Sequence, residues 1–144
     1  MILVDTNLLL YAYHPQDARH QAARDWLEAT LSGTEPVRFA WLGLWAFLRI
    51  STNPRVFERP LLPSEAEAVV SSWLARRVAG ILDPGERHLE ILRELLRGNQ
   101  VKGPLITDAA LAALAMEHGA TLFTTDADFV RFPGLKHRNP LSQA

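Results

Sequence analysis

Two short apolar runs, each leading into aspartate, point to a buried parallel sheet. Met1-Ile2-Leu3-Val4 ends at Asp5, and Thr121-Leu122-Phe123-Thr124 runs on to Asp126 and Asp128. Each run reads as a short strand buried on both faces, as parallel strands are. A further acid, Asp108, opens an alanine-rich helix. In an open α/β sheet, ligands bind in the crevice beyond the carboxyl ends of the strands. Acids from three distant segments meeting there would repel one another, and a hard divalent cation is the simplest resolution.

The rest of the chain supplies the helices such a sheet needs. Leu8–Tyr11 predicts a short helix, ended by Pro15. Asp17 reads as the N-cap of a helix to about Leu31, with Ala18, Ala22, Trp26 and Ala29 recurring at helical spacing and Ser32-Gly33 as its stop. Val37–Phe39 reads as a strand or an entry turn, and an apolar helix follows from about Trp41 to Ser51, closed by Asn53-Pro54. Ser64-Glu65-Ala66-Glu67 is a capping-box pattern that predicts a helix to about Arg77. Gly80–Leu82 predicts a strand, and Asp83-Pro84 reads as the start of a helix over Glu86–Arg97, with Leu89, Leu92 and Leu96 on one face and Gly98-Asn99 as its end. The Asp108 helix runs to His118 and stops at Gly119. A short helix begins near Asp126 and is broken by Pro133-Gly134, and the tail from Lys136 is an edge strand or an extended segment. Strands alternating with helices of about 10–15 residues indicate βαβ units and a mostly parallel central sheet.

At 144 residues the chain is expected to be a single domain, 1–144. It has no cysteine, which excludes disulfides and thiolate metal sites and fits a cytoplasmic protein. No signal peptide is expected, and the longest apolar stretch, Phe39–Leu48, is too short to cross a bilayer. The formal net charge of −1 neither argues for a nucleic-acid partner nor excludes one. The usual phosphate-binding glycine loops are absent.

Each acid has a second reading. Asp5 suits a helix cap, Asp108 suits a first helical turn, and Asp126 or Asp128 suits a cap or an Asx turn. Their shared placement at strand ends and helix starts favours one acidic site. Asp83 is assigned as a cap. No histidine pair has metal-ligand spacing; Trp41 and Trp45 are assigned to the core rather than to base stacking, and most basic residues to a solvated face.

The residues together resemble a PIN domain, and specifically the VapC toxins of bacterial toxin–antitoxin systems. The resemblance rests on Asp5-Thr6-Asn7, on Phe47-Leu48-Arg49 with Thr52-Asn53-Pro54-Arg55-Val56-Phe57, on Thr107-Asp108-Ala109, and on Thr125-Asp126-Ala127-Asp128-Phe129. It covers essentially the whole chain. It implies a three-layer α/β/α fold and an endoribonuclease dependent on Mg²⁺ or Mn²⁺. Asp5, Asp108 and Asp126 become its metal ligands, and Asp128 a supporting acid. It further implies a homodimer, an RNA substrate, a VapB-type antitoxin and no membrane partner.

One departure stands out. The family's glutamate before the Phe-Leu-Arg segment aligns here with Ala46, and no Asp or Glu lies between Glu35 and Glu58. A weakened PIN-like domain that binds RNA or an antitoxin without efficient cleavage is therefore the alternative. Two other acidic-pocket folds fit less well. A phospho-acceptor receiver needs a paired acid near the first strand and a late lysine. A haloacid-dehalogenase-type phosphatase needs an acid where Asn7 stands.

Overall fold

A computed structural model of the chain describes residues 1–97 and 100–142. Its strands are β1 (Ile2–Val4), β2 (Val37–Ala40), β3 (Ala79–Leu82), β4 (Thr121–Phe123) and β5 (His137–Arg138). They form one sheet in the order β3-β2-β1-β4-β5, and every neighbouring pair is parallel. The helices are α1 (Thr6–Ala12), α2 (His20–Leu31), α3 (Trp41–Ser51), α4 (Pro63–Leu74), α5 (His88–Leu96) and α6 (Leu105–His118), with a 3-10 helix over Ala127–Arg131.

Strand side chains alternate between faces, and β1 divides its three residues accordingly. Ile2 and Val4 pack with residues of α1 to α4, including Leu8, Leu27, Phe47 and Trp73. Leu3 packs on the other face with α5 and α6, among Leu95, Ala109, Ala112 and Leu122. The result is a three-layer α/β/α sandwich. Strand order places the site. From β1 the chain moves outward through β2 and β3, then returns to the far side of β1 as β4. The chain leaving β1 enters the first core, whereas the 3-10 helix after β4 buries Phe129 in the second. The two connections diverge at the carboxyl ends of β1 and β4, which is the switch point where such sheets open a crevice.

Several local expectations are corrected. Asp17 does not cap α2: the N-cap is Arg19, and the Asp17 carboxylate instead accepts from the Arg19 backbone and guanidinium at 2.8–3.0 Å. The inward face of α2 is Ala23, Leu27 and Leu31, whereas Ala18, Ala22 and Ala29 are exposed. Small alanines fit either face, so their spacing did not discriminate. In α4, Pro63 takes the first helical position, Glu65 accepts from the Leu62 N–H at 2.8 Å, and Ser64 is not the cap. The helix ends at Leu74, short of Arg77. Asp83 caps nothing: α5 begins later, at His88, and Leu89 is 63% exposed while Leu95 is buried. The expected stop at Gly98-Asn99 lies outside the described residues. Trp41 and Trp45 are not core; they are 42% and 62% exposed, with rings stacked 6.4 Å apart. Nearly every residue of α3 is apolar, so no polar stripe marked its outer side. Among the described residues, no helix is long and apolar enough to cross a membrane.

Candidate active site at the carboxyl edge of the sheet

Asp5 is the first residue beyond β1, and its N–H still donates to Phe123 O at 3.0 Å, so the ladder to β4 fixes its backbone. Its side chain is the N-cap of α1. Oδ1 accepts from the Thr6 N–H at 2.8 Å, and Oδ2 accepts from the Thr124 hydroxyl at 2.7 Å. The cap reading and the site reading of Asp5 therefore coexist. Thr124, 2% exposed, closes the network: its oxygen accepts from the Asp126 N–H at 3.0 Å and from Asn7 Nδ2 at 3.4 Å. Asp126 in turn caps the 3-10 helix, its Oδ1 accepting from the Asp128 N–H at 2.8 Å. One buried hydroxyl thus ties the ends of β1 and β4 together.

Asp108 arrives from a third element, in the first turn of α6. Burial pushes its pKa up, and the negative charges of Asp126, Asp5 and Asp128 push it further, to about 6. The Arg131 guanidinium acts in the opposite direction. Asp5 is also raised, first by burial and also by the charge of Asp126, against the lowering effect of its Thr124 and Thr6 hydrogen bonds. The four aspartates therefore act on one another electrostatically. Among the described residues, however, no three histidine or acidic side chains stand close enough together to hold a metal ion jointly.

The donor set suits a hard divalent cation all the same. Every candidate ligand is a carboxylate oxygen, and Asn7 Oδ1 is a buried neutral oxygen without a partner. Mg²⁺ retains several waters and needs only one or two direct carboxylates. A cation would also relieve the repulsion that raises Asp108. The fourth acid, Asp128, has a side chain 61% exposed and stands at the rim.

The neighbouring helix comes close at Gly43, whose carbonyl accepts from Thr6 Oγ1 at 3.0 Å; a Cβ there would meet that oxygen at 3.2 Å. Three residues on, Ala46 is half-buried and brings no oxygen to the site. Deeper grooves lie elsewhere, such as one of about 340 Å³ bordered by Tyr13, Phe47 and Phe57. None of the aspartates lines it.

Sequence reasoning missed Thr124, Asn7 and Arg131. Thr124 had only its place at a strand end to mark it, because the burial that gives its hydroxyl a role is a tertiary property. Asn7 was read only as part of the Asp5-Thr6-Asn7 motif. The histidines remain outside the site: His118 Nε2 bonds to Asp83 O at 2.8 Å, and His20 Nδ1 to Tyr11 O at 2.8 Å.

The sequence matches the PIN domain family over residues 2–135. It is 41% identical over 140 residues to ribonuclease VapC37 of Mycobacterium tuberculosis, with 97% of each chain covered. Ribonuclease VapC33 of the same organism is 38% identical over 143 residues, covering 99% of this chain and all of the relative. The fold is also similar to a chain of VapBC2 from Rickettsia felis, solved with a fragment of promoter DNA. The TM-score is 0.70 at 20% identity, covering 96% of this chain and 98% of that one.

Proposed function

The chain belongs to the PIN-domain family, among the VapC ribonucleases, and from that premise we propose that it is a metal-dependent endoribonuclease acting as the toxin of a toxin–antitoxin pair. The observation that carries the reading is Asp108, partly buried in the first turn of α6 and within electrostatic reach of Asp126, Asp5 and Asp128, where burial first and those charges second raise its pKa to about 6. Such crowding is unfavourable in a bare protein and useful where a cation binds.

Asp5, Asp108 and Asp126 are the residues that would hold Mg²⁺ or Mn²⁺, with Asp128 in support. When bound, the cation supplies Lewis acidity at a phosphodiester and makes an attacking water more acidic. The chain's own residues set the geometry. The Thr124 hydroxyl holds Asp5 Oδ2 in one orientation, and the Thr6 N–H holds Oδ1. The Asp128 N–H fixes Asp126 Oδ1. Asp128, at the exposed rim, accepts hydrogen bonds from water around the scissile bond. Hydrolysis adds water across one P–O bond: the water oxygen joins phosphorus, and the departing sugar oxygen gains a proton.

The partners that fit this reading are an RNA substrate, a VapB-type antitoxin and a second copy of the chain. The exposed Trp41–Trp45 pair supports the homodimer, because aromatics of this size concentrate at protein interfaces. A domain that binds without cleaving is not favoured, since near-full-length relatives carry ribonuclease names.

The test is cleavage of a mixed RNA pool by the purified protein with Mg²⁺, with Mn²⁺ and with chelator. Cleavage should need metal and vanish with chelator. No cleavage with either metal, or cleavage indifferent to chelator, would sink the proposal.

A further inference from the structure

We propose that Arg131 is the RNA-phosphate receiver of this site, a guanidinium held at the rim of the acid cluster to engage a phosphate oxygen of the bound strand. The inference rests on the ribonuclease reading and adds a substrate-binding residue to it. An RNA strand approaching four aspartates meets charge of its own sign, so a cation from the protein is needed beside them. Arg131 is well placed. It closes the 3-10 helix that Asp126 caps, so one short element separates the candidate ligand from the guanidinium-bearing residue. Phe129 and Phe132, 1% and 2% exposed with ring centroids 5.9 Å apart, anchor the backbone on both sides of it.

The guanidinium is oriented but not consumed. Its Nε donates to Asp128 O at 3.2 Å, which aims the group. Nη2 lies 3.9 Å from Asp128 Oδ1, too far for a hydrogen bond. Three other arginines are committed: Arg19 to Asp17 at 2.9 Å, Arg76 to Glu28 at 3.0 Å, and Arg38 to the Val37 and Val78 carbonyls at 3.0 and 2.9 Å. The side chain of Arg131 is 32% exposed, so its outer N–H groups are accessible from solution. A guanidinium can present two parallel N–H groups to two phosphate oxygens, which an ammonium cannot. The loose ion pair with the exposed Asp128 is worth little and is readily exchanged for phosphate.

The experiment compares the parent with Arg131→Gln and Arg131→Lys. Steady-state cleavage is measured with Mn²⁺, and RNA binding by fluorescence anisotropy in the non-cleaving Asp108→Asn background at several salt concentrations. Arg131→Gln should raise KM and the RNA Kd about tenfold with a smaller change in kcat. It should flatten the slope of log affinity against log salt by about 0.7, the loss of one phosphate contact to a single strand. Mn²⁺ affinity should be unchanged or tighter, and the melting point unchanged. Arg131→Lys should fall between, keeping the charge and losing the fork. Unchanged KM, Kd and salt slope in Arg131→Gln would overturn the proposal. So would a loss confined to kcat with weaker Mn²⁺ binding, which would make Arg131 a support of the metal site. Failure of the parent to cleave any RNA would count against the ribonuclease reading alone, because the binding arm still reports on Arg131.

Discussion

The two ends of α6 each carry a carboxylate, and each titrates against the helix dipole. Asp108 lies in the first turn, where the dipole favours a negative charge, yet its pKa is raised to about 6. Glu117 lies in the last turn, where the dipole disfavours one, yet its pKa is lowered. Their neighbours account for the difference. Glu117 accepts from the Gly85 and Arg87 N–H groups at 2.8 and 3.0 Å, with the His118 charge adding to the effect. Asp108 is partly buried and crowded by three acids. Helix-terminus charges are worth about 0.3–1 kcal/mol at exposed positions, and burial, like charge or donated hydrogen bonds outweigh them. An acid supplied with donors holds the fold together. An acid crowded by other acids is held ready for something the fold does not contain.

The contrast is broken or kept by one pair of substitutions, which carries the largest expected effect. Asp108→Asn should reduce metal-dependent cleavage by roughly 10²–10³-fold, the scale on which a transition-state contact is felt. Its melting point should hold or rise, because a repelled charge is gone. Glu117→Gln should do the reverse, keeping cleavage and lowering the melting point, since Gly85 and Arg87 lose a charged acceptor. Cleavage kinetics and thermal melts of both variants decide the matter. If Asp108→Asn melts early while still cleaving, the acid end of α6 is structural.

Thr124 tests the wiring between β1 and β4 and should give the next effect. Thr124→Val keeps the shape but strands the Asp126 N–H and removes the donor to Asp5, costing about 1–3 kcal/mol of stability. Cleavage should fall roughly tenfold, equivalent to about 1.4 kcal/mol of barrier. Thr124→Ser should restore most of both. A serine variant as impaired as valine would show that the hydroxyl alone does not account for the role of Thr124.

These tests mirror what could be read in the chain beforehand. The parallel sheet and the strand-end acids were legible because a buried parallel strand needs a continuous apolar run, and Ile2–Val4 and Thr121–Phe123 supply one. The edge strand at His137–Arg138 and the Gly119 stop, with φ of 67°, were legible for equally local reasons. Contacts across the chain were not legible. Asp83-Pro84 looked like a helix start, but the loop after β3 is held instead by Glu117, thirty or more residues away, through Gly85 and Arg87. Trp41 and Trp45 looked like core because large aromatics usually are. Only the packing of Gly43, Leu44 and Phe47 reveals which side of α3 faces inward.

The pH response sharpens the comparison, since the two ends of α6 have opposite signs. The folded pKa of Asp108, about 6, lies above its ordinary 3.8. The stability it contributes is present below 3.8 and lost as pH rises through 6. Glu117 is lowered from 4.5, so its contribution is present above 4.5 and lost as pH falls through its lower folded value. In metal-free melts, the advantage of Asp108→Asn over the parent should be largest at neutral pH and shrink as pH falls through about 6. The deficit of Glu117→Gln should persist at that pH and shrink only below 4.5. Parallel curves for the two variants would mean that the two ends of the helix do not differ as described.

The smallest expected effect is at Ala46, the position the sequence reading aligned with a glutamate. On a helix turning about 100° per residue, position 46 lies one turn beyond Gly43, where α3 touches the start of α1. Ala46 is half-buried rather than enclosed, between buried Phe47 and exposed Trp45. A glutamate placed there can keep its head in solvent while its stem lies along the helix surface, as long charged side chains do. It therefore need not bear the cost of an unpaired buried charge. Ala46→Glu should tighten Mn²⁺ binding a few-fold, because a further carboxylate raises the charge offered to the cation without requiring direct ligation. The gain should be modest, since nothing in α3 besides the Gly43 contact draws that side chain toward Asp5. Calorimetric titration of parent and variant, with a melt of each, gives the answer. Unchanged affinity with an unchanged melting point would place position 46 outside the reach of the cluster, and the acid end of α6 would then complete its metal site from β1 and β4 alone.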